Sequence, residues 1–394
     1  MSIANPAGPV VIFSAGIGAG HDGAARELSR RLAERGIPSV RYDFLDMLPA
    51  GLGTALRDTY ARQLRTAPDR WGWLLDKMAR PRLSAGAGAL SASLAARRML
   101  AAIEPDTATV VSTYPLASQV LGRLRRSRRL AVPVAAVMTD PSVHPLCVAE
   151  GVDLHLAPGR HTAEQIHALN APVLAVSPVV DPAFRPAHDR CERDTLRHRF
   201  GLPLDERLAV VIAGSWGVGD VEQTALDIVR AGAALPVVVC GRNETLRRRL
   251  HETGTAIALG WVDAMPELLR AADVAVTNAG GLSSTEAMAS GIPVISYRCL
   301  PGHGDANAAV LAATGLSPWP QTLDALAADL RAVLDGPAGL RQQAVFAASR
   351  TDPDAADVLT RHDRSPLPPL TITIKTTPRF PYAMSPAPSR KATR

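Results

Sequence analysis

Gly280-Gly281-Leu282-Ser283-Ser284-Thr285-Glu286-Ala287-Met288-Ala289-Ser290-Gly291-Ile292-Pro293-Val294-Ile295 is the stretch that decides the fold. Just upstream, Asp273-Val274-Ala275-Val276-Thr277 has the unbroken apolar character of a strand buried on both faces, and residues 291–296 have it again. The whole is one β-α-β unit, with the two glycines at the carboxyl end of its first strand. Open α/β sheets bind ligands at that edge. The main-chain N–H groups of Gly281, Leu282, Ser283 and Ser284 open a helix and suit a diphosphate. Glu286, one turn in, can accept two hydrogen bonds from a ribose diol. An ordinary glycine turn capped by Ser or Thr, with Glu286 as a first-turn dipole partner, fits the same residues.

Outward from this unit the same alternation occurs twice. In the first half, strands are expected at 9–14, 39–43, 110–113, 133–139, 153–157 and 172–176, with a helix over 22–35 after the loop 15–20. The pattern breaks in the Pro-rich connection Ser177 to Pro186, and a fresh apolar strand begins at Leu208. Further strands are expected at 236–240 and 255–259, with helices near 220–233, 243–251 and 264–270. The fold class is therefore α/β, with two Rossmann-like, doubly wound parallel domains facing across a cleft. The expected limits are 1–180, 181–364 and a tail, 365–394. Terminal helices near 321–335, 338–348 and 353–362 are placed to cross back to the first domain.

The 394 residues, 47% hydrophobic, suffice for two cores. No run approaches the roughly 20 apolar residues that span a bilayer, and the first seven residues lack the features of a signal peptide, so a cytoplasmic location is expected. The four cysteines are scattered, which argues against a zinc site or a disulfide framework. Of the formal charge of +6, five positive charges fall in the last thirty residues, a Pro-rich stretch without acids that reads as disordered.

Residues 51–100 carry a net charge of +6. Within them, Arg70, Trp71, Trp73, Lys77 and Arg80 combine aromatic anchors with cations, a mixture suited to an anionic membrane surface. Core tryptophans beside a solvated arginine face fit the same composition. No nucleic-acid partner is expected, because no recognition motif is present. The sequence leaves the oligomeric state open.

Four motifs carry a resemblance: Ser14-Ala15-Gly16-Ile17-Gly18-Ala19-Gly20-His21; Thr139-Asp140-Pro141-Ser142-Val143-His144-Pro145; residues 260–268, Gly-Trp-Val-Asp-Ala-Met-Pro-Glu-Leu; and residues 301–307, Pro-Gly-His-Gly-Asp-Ala-Asn. With the Gly280 unit, they make residues 9–320 resemble GT-B fold glycosyltransferases. The group in question holds the monogalactosyldiacylglycerol synthases, the processive diacylglycerol glucosyltransferases and the peptidoglycan-precursor N-acetylglucosaminyltransferase. The resemblance implies a UDP-sugar donor, inversion at the anomeric carbon, no required metal, a membrane lipid acceptor such as diacylglycerol, and a peripheral site on the inner face of the cell membrane.

Under that reading His21 is the candidate general base, with Gly18 and Gly20 in an acceptor or phosphate loop. A histidine that caps the helix or binds phosphate is the alternative. Asp140 and His144 are expected at the same cleft edge, orienting the acceptor or sharing its proton; a turn-capping Asp140 is the bland alternative. Gly214, Ser215 and Trp216 follow a strand and offer donors to the diphosphate, while Gly241, Trp261 and Val262 flank the nucleobase. His303, Asp305 and Asn307 fall where the family holds the donor sugar, but His303-Gly304 replaces the family's frequent Gln-Glu, leaving the sugar's identity open. Asp352-Pro353-Asp354 reads as a helix cap. A transferase for a soluble acceptor, a sugar-nucleotide epimerase of this fold, and a nucleotide-sugar-binding regulator without turnover are the alternative functions.

Overall fold

The computed structural model describes residues 8–66, 77 and 81–360. Its strands are β1 (Val10–Ser14), β2 (Ser39–Asp43), β3 (Thr109–Ser112), β4 (Val134–Val137), β5 (Leu154–Pro158), β6 (Val173–Val176), β7 (Leu208–Ile212), β8 (Leu235–Val239), β9 (Ile257–Leu259), β10 (Val274–Thr277) and β11 (Val294–Ser296). They form two sheets, ordered β2-β1-β3-β4-β5-β6 and β11-β10-β7-β8-β9. Every pairing in both is parallel.

Helices cover both faces of each sheet, which is why the inner strands read as continuous apolar runs, whereas β2, at an edge, carries exposed and polar residues. On β1, Val11 and Phe13 pack with Phe44, Met99 and Leu121 on one face. Val10 and Ile12 meet Ala24, Leu28 and Leu32 on the other. On β7, Leu208, Val210 and Ile212 fill one core and Ala209, Val211 and Ala213 the opposite one. The chain returns to the first sheet at its last described helix, Ala355–Thr360, whose Ala355, Ala356 and Val358 join the core beneath β1. Asp354 accepts the Ala356 N–H at 2.8 Å, so it is a cap, and it also pairs with Arg31 at 2.7 Å.

The first helix spans Ala19–Glu34 and begins three residues before the expected start, because Gly18 takes an extended N-cap conformation. Gly20 and His21 therefore lie in its first turn rather than in the loop. Helices Leu52–Thr66, Pro81–Ala101, Pro115–Arg126, Arg160–Ala168, Arg190–Phe200 and His303–Ala313 escaped the sequence pattern. Two of them, Pro81–Ala101 and His303–Ala313, are rich in Ala, Gly and Ser, so their buried faces carry little hydrophobic contrast, yet a parallel sheet requires crossovers of that kind.

Candidate active site

Each sheet has a switch point where strand order reverses, and the two lie against one another. At the first, the loop after β1 leads into His21, the segment after β3 supplies Thr113 and Tyr114, and the segment after β4 supplies Thr139 and Asp140. His21, Thr113, Tyr114, Ser118, Thr139 and Asp140 share the lining of one pocket. The Thr113 hydroxyl donates to the His21 carbonyl at 3.1 Å, the His21 Nδ1 lies 3.4 Å from Thr139 Oγ1, and Tyr114 meets the imidazole edge-on at 5.3 Å. Desolvation lowers the His21 pKa, and the charge of Asp140 opposes that fall. The ring is thus held in its proton-accepting form, with a carboxylate near enough to favour the cation once formed.

Asp140 reaches the second sheet. Its Oδ1 lies 3.3 Å from Asn307 Nδ2 and 3.5 Å from His303 Nε2, both on the helix His303–Ala313. Asn307 is completely buried. Its Oδ1 accepts both the N–H and the hydroxyl of Ser142, at 3.1 and 2.6 Å, and its Nδ2 donates to the Ala279 carbonyl at 2.9 Å.

The glycines of the deciding stretch have a second cause beyond the anion seat. Gly280 has φ of +70°, and a Cβ there would stand 2.8 Å from the Asn307 Cβ. Gly281 has an ordinary φ of −84°, but a Cβ would stand 2.4 Å from Asp140 Oδ1. Leu282, whose main-chain N–H is expected at the diphosphate, turns its side chain to the first helix, where a Cβ at Gly23 would meet its Cδ2 at 2.8 Å. Ser284 is fully buried and exchanges a 3.1 Å hydrogen bond with Thr277 beneath the helix start, while Ser283 is half-buried. Glu286 is half-buried, with its carboxyl pushed up to about 8, chiefly by burial, with Arg26 opposing and Asp181 adding to the rise.

The residues expected to hold the nucleotide cluster at the ends of β7, β8 and β9. Gly214 is exposed with φ of +66°, and the Ser215 carbonyl accepts the Arg242 N–H at 3.0 Å. Gly241 has no room for a Cβ, which would stand 2.5 Å from that carbonyl. Arg242 lies between two indoles, 5.6 Å from the Trp216 ring and 4.9 Å from the Trp261 ring. The Trp216 Nε1 is buried without a hydrogen-bond partner, whereas Trp261 Nε1 donates to Asp263 at 2.8 Å. Val262 packs on the core of the second sheet.

His144 is buried, and its Nδ1 accepts the Leu146 N–H at 3.0 Å, which makes it the cap of the turn Pro145–Cys147. Asp305 lies in the first turn of the helix carrying His303 and Asn307. Arg70, Trp71, Trp73 and Arg80 lie outside the described residues, as does the tail 365–394; Lys77 is half-buried. Sequence reading missed Ser142, Thr139 and Tyr60. The Tyr60 hydroxyl is pushed up to about 12, first by burial and then by the charge of Asp140. Nothing in its local sequence distinguishes Tyr60 from any tyrosine on a helix.

Comparison with known proteins agrees with this geometry. A family model for monogalactosyldiacylglycerol (MGDG) synthase matches residues 21–175, and one for glycosyl transferases group 1 matches residues 220–335. The processive diacylglycerol beta-glucosyltransferase of Bacillus licheniformis is 28% identical over 211 residues, covering 52% of this chain and 54% of that protein. The Bacillus subtilis enzyme of the same name is 29% identical over 216 residues, with the same coverage. The chain thus spans about half the length of the curated relatives it matches. Among solved structures, Medicago truncatula UGT71G1 complexed with UDP-glucose aligns with a TM-score of 0.56 at 12% identity, over 90% of this chain and 98% of that one. Acinetobacter baumannii MurG aligns with a TM-score of 0.50 at 17% identity, over 90% and 98%. These two likenesses concern the fold. Each half is thus matched by a glycosyltransferase family model and the fold is that of the GT-B glycosyltransferases, so the chain is similar to the group that includes the monogalactosyldiacylglycerol synthases and diacylglycerol glucosyltransferases.

Proposed function

We propose that this chain moves a hexosyl or N-acetylhexosaminyl group from a UDP-sugar to a hydroxyl of a membrane lipid, diacylglycerol being the leading acceptor, with inversion and without a required metal. The observation that carries the reading is the approach of Asp140, beside His21, to Gly281 at the helix start of the other sheet. In the proposed step, His21 takes the proton of the acceptor hydroxyl, and the oxygen attacks the anomeric carbon on the face opposite the nucleotide. The bond from that carbon to the diphosphate breaks as the new bond forms, so the configuration inverts. Charge developing on UDP meets the N–H groups at the start of the helix Leu282–Ala289. Asp140 favours the imidazolium that results.

Support for UDP comes from the solved relative complexed with UDP-glucose, and support for the lipid from the names of the bacillar relatives. The basic, Trp-bearing segment 70–80 supports an anionic membrane surface, with the protein peripheral on the inner face of the cell membrane. No helix among the described residues is long and apolar enough to cross a membrane. The test is release of UDP from UDP-glucose, UDP-galactose and UDP-N-acetylglucosamine, with and without anionic liposomes containing diacylglycerol, with mass spectrometry of the lipid. A glycolipid formed from one donor, at a rate indifferent to a chelator, is the expected result. Release equal with and without liposomes, or UDP binding with no release, would replace the lipid acceptor by a soluble one or by a regulatory role.

A further inference from the structure

The hydrogen bonds of Asn307 tie together segments from the two sheets, and we infer that Asn307 is a positioning residue that fixes Asp140 against the Gly280-Gly281 loop. The inference deepens the transfer reading and rests on it. It also differs from the expectation that Asn307 grips the donor sugar.

The amide is used up by protein partners. Its oxygen accepts two hydrogen bonds from Ser142, which follows β4 of the first sheet. Its nitrogen donates to Ala279, which follows β10 of the second sheet, and approaches Asp140 Oδ1 at 3.3 Å. A side chain with no exposed surface and every polar atom engaged has nothing left for a ligand. What it can do is set distance. Ser142 and Asp140 sit two residues apart on one loop, so holding Ser142 through the amide oxygen while meeting Asp140 through the nitrogen fixes that loop at two points. Gly280 permits the approach by lacking a Cβ. His303, one helical turn earlier, lies 3.3 Å from the same nitrogen and 3.5 Å from Asp140, so the whole junction is carried on one helix face. Under the proposed reaction, Asp140 then supports the His21 imidazolium only while this tie holds the cleft shut.

Asn307→Ala, Asn307→Asp and Ser142→Ala in the full chain test this. Asn307→Ala removes all of these bonds. Asn307→Asp keeps an acceptor for Ser142 but sets a carboxylate against Asp140. Ser142→Ala removes only the hydroxyl bond. The expected result for both Asn307 variants is a kcat lower by about 10- to 100-fold, of the order a small misplacement costs, with donor KM within about threefold of wild type. The radius of gyration from small-angle scattering should rise, more for Asp than for Ala. Ser142→Ala should show a smaller loss of kcat in the same direction. A raised donor KM at unchanged kcat would overturn the inference and return Asn307 to the donor sugar; an unchanged kcat and radius of gyration would overturn it as well. If the Asn307 variants fail to fold, Ser142→Ala decides, and wild-type kcat and scattering there count against the tie. Scattering needs no turnover, so an opened cleft in the variants of a chain that transfers no sugar would keep the tie and remove the reaction.

Discussion

A Cβ added to Gly281 would stand 2.4 Å from the Oδ1 of Asp140, so the helix start of one sheet and the carboxylate of the other are in contact with no side chain between them. Gly281 adopts φ −84° and ψ −130°, and the Asp140 carboxylate stands where a side chain would need to be.

Gly281→Ala should therefore leave stability nearly intact, because the displaced atom is the end of a side chain that can rotate. Activity should fall about 10-fold or more as Asp140 is pushed off His21. Gly280→Ala is different: φ of +70° and an Asn307 Cβ at 2.8 Å make it destabilising by about 1–3 kcal/mol. Thermal melts and initial rates on the two variants separate these outcomes. Equal melting losses for both would contradict the distinction.

Much of this arrangement was readable in the sequence. The run 208–213 gave its strand because a strand buried on both faces has no polar alternation to disguise it, whereas 39–43 is an edge strand whose Val40 and Arg41 are exposed. The pairing of His21 with Asp140 followed from each sitting after an apolar strand near a sheet's ligand edge. What could not be read was the junction. Ser142 and Asn307 are 165 positions apart and meet only through the packing of two separate sheets. His144 looked as eligible as His21, and the Leu146 N–H at its Nδ1, which caps a turn, is not legible from its motif. The first turn of the Ala19–Glu34 helix was misplaced because glycines at 18 and 20 resemble a loop in any window of sequence.

Glu286 gives a pH prediction. Its carboxyl is pushed up to about 8 by burial, while in the unfolded chain it titrates near about 4.3. Between those values the folded chain holds the proton more tightly, so this group makes stability fall as pH rises from about 4 toward 8. Glu286→Gln removes that loss. The variant should melt above wild type at pH 8.5 by about 2 °C or more, the shift that about 1 kcal/mol gives a domain of roughly 150–250 residues. The gap should close near pH 4; a gap independent of pH would contradict the assignment.

Trp261 is 48% exposed, with its indole N–H held by Asp263 and the Arg242 guanidinium over its ring. An open aromatic face at the nucleotide end suits a stacked base, worth about 1–3 kcal/mol where such stacking has been measured with nucleic acids. Trp261→Ala should weaken UDP binding by about fivefold or more, read by calorimetry. Unchanged affinity would move the base elsewhere along the sheet edge.

The proposed transfer depends on His21. Its pKa is lowered by burial, so the acid limb of kcat/KM should lie below about 6.5, the ordinary histidine value, and the rate should be flat through neutral pH. The most direct measurement is sugar transfer by His21→Ala alongside its UDP affinity. With His21 as the base, the variant's rate is lower by about 100- to 10,000-fold, with UDP affinity within about threefold of wild type. Transfer within about twofold of wild type would show that another group takes the acceptor's proton and would contradict the central assignment.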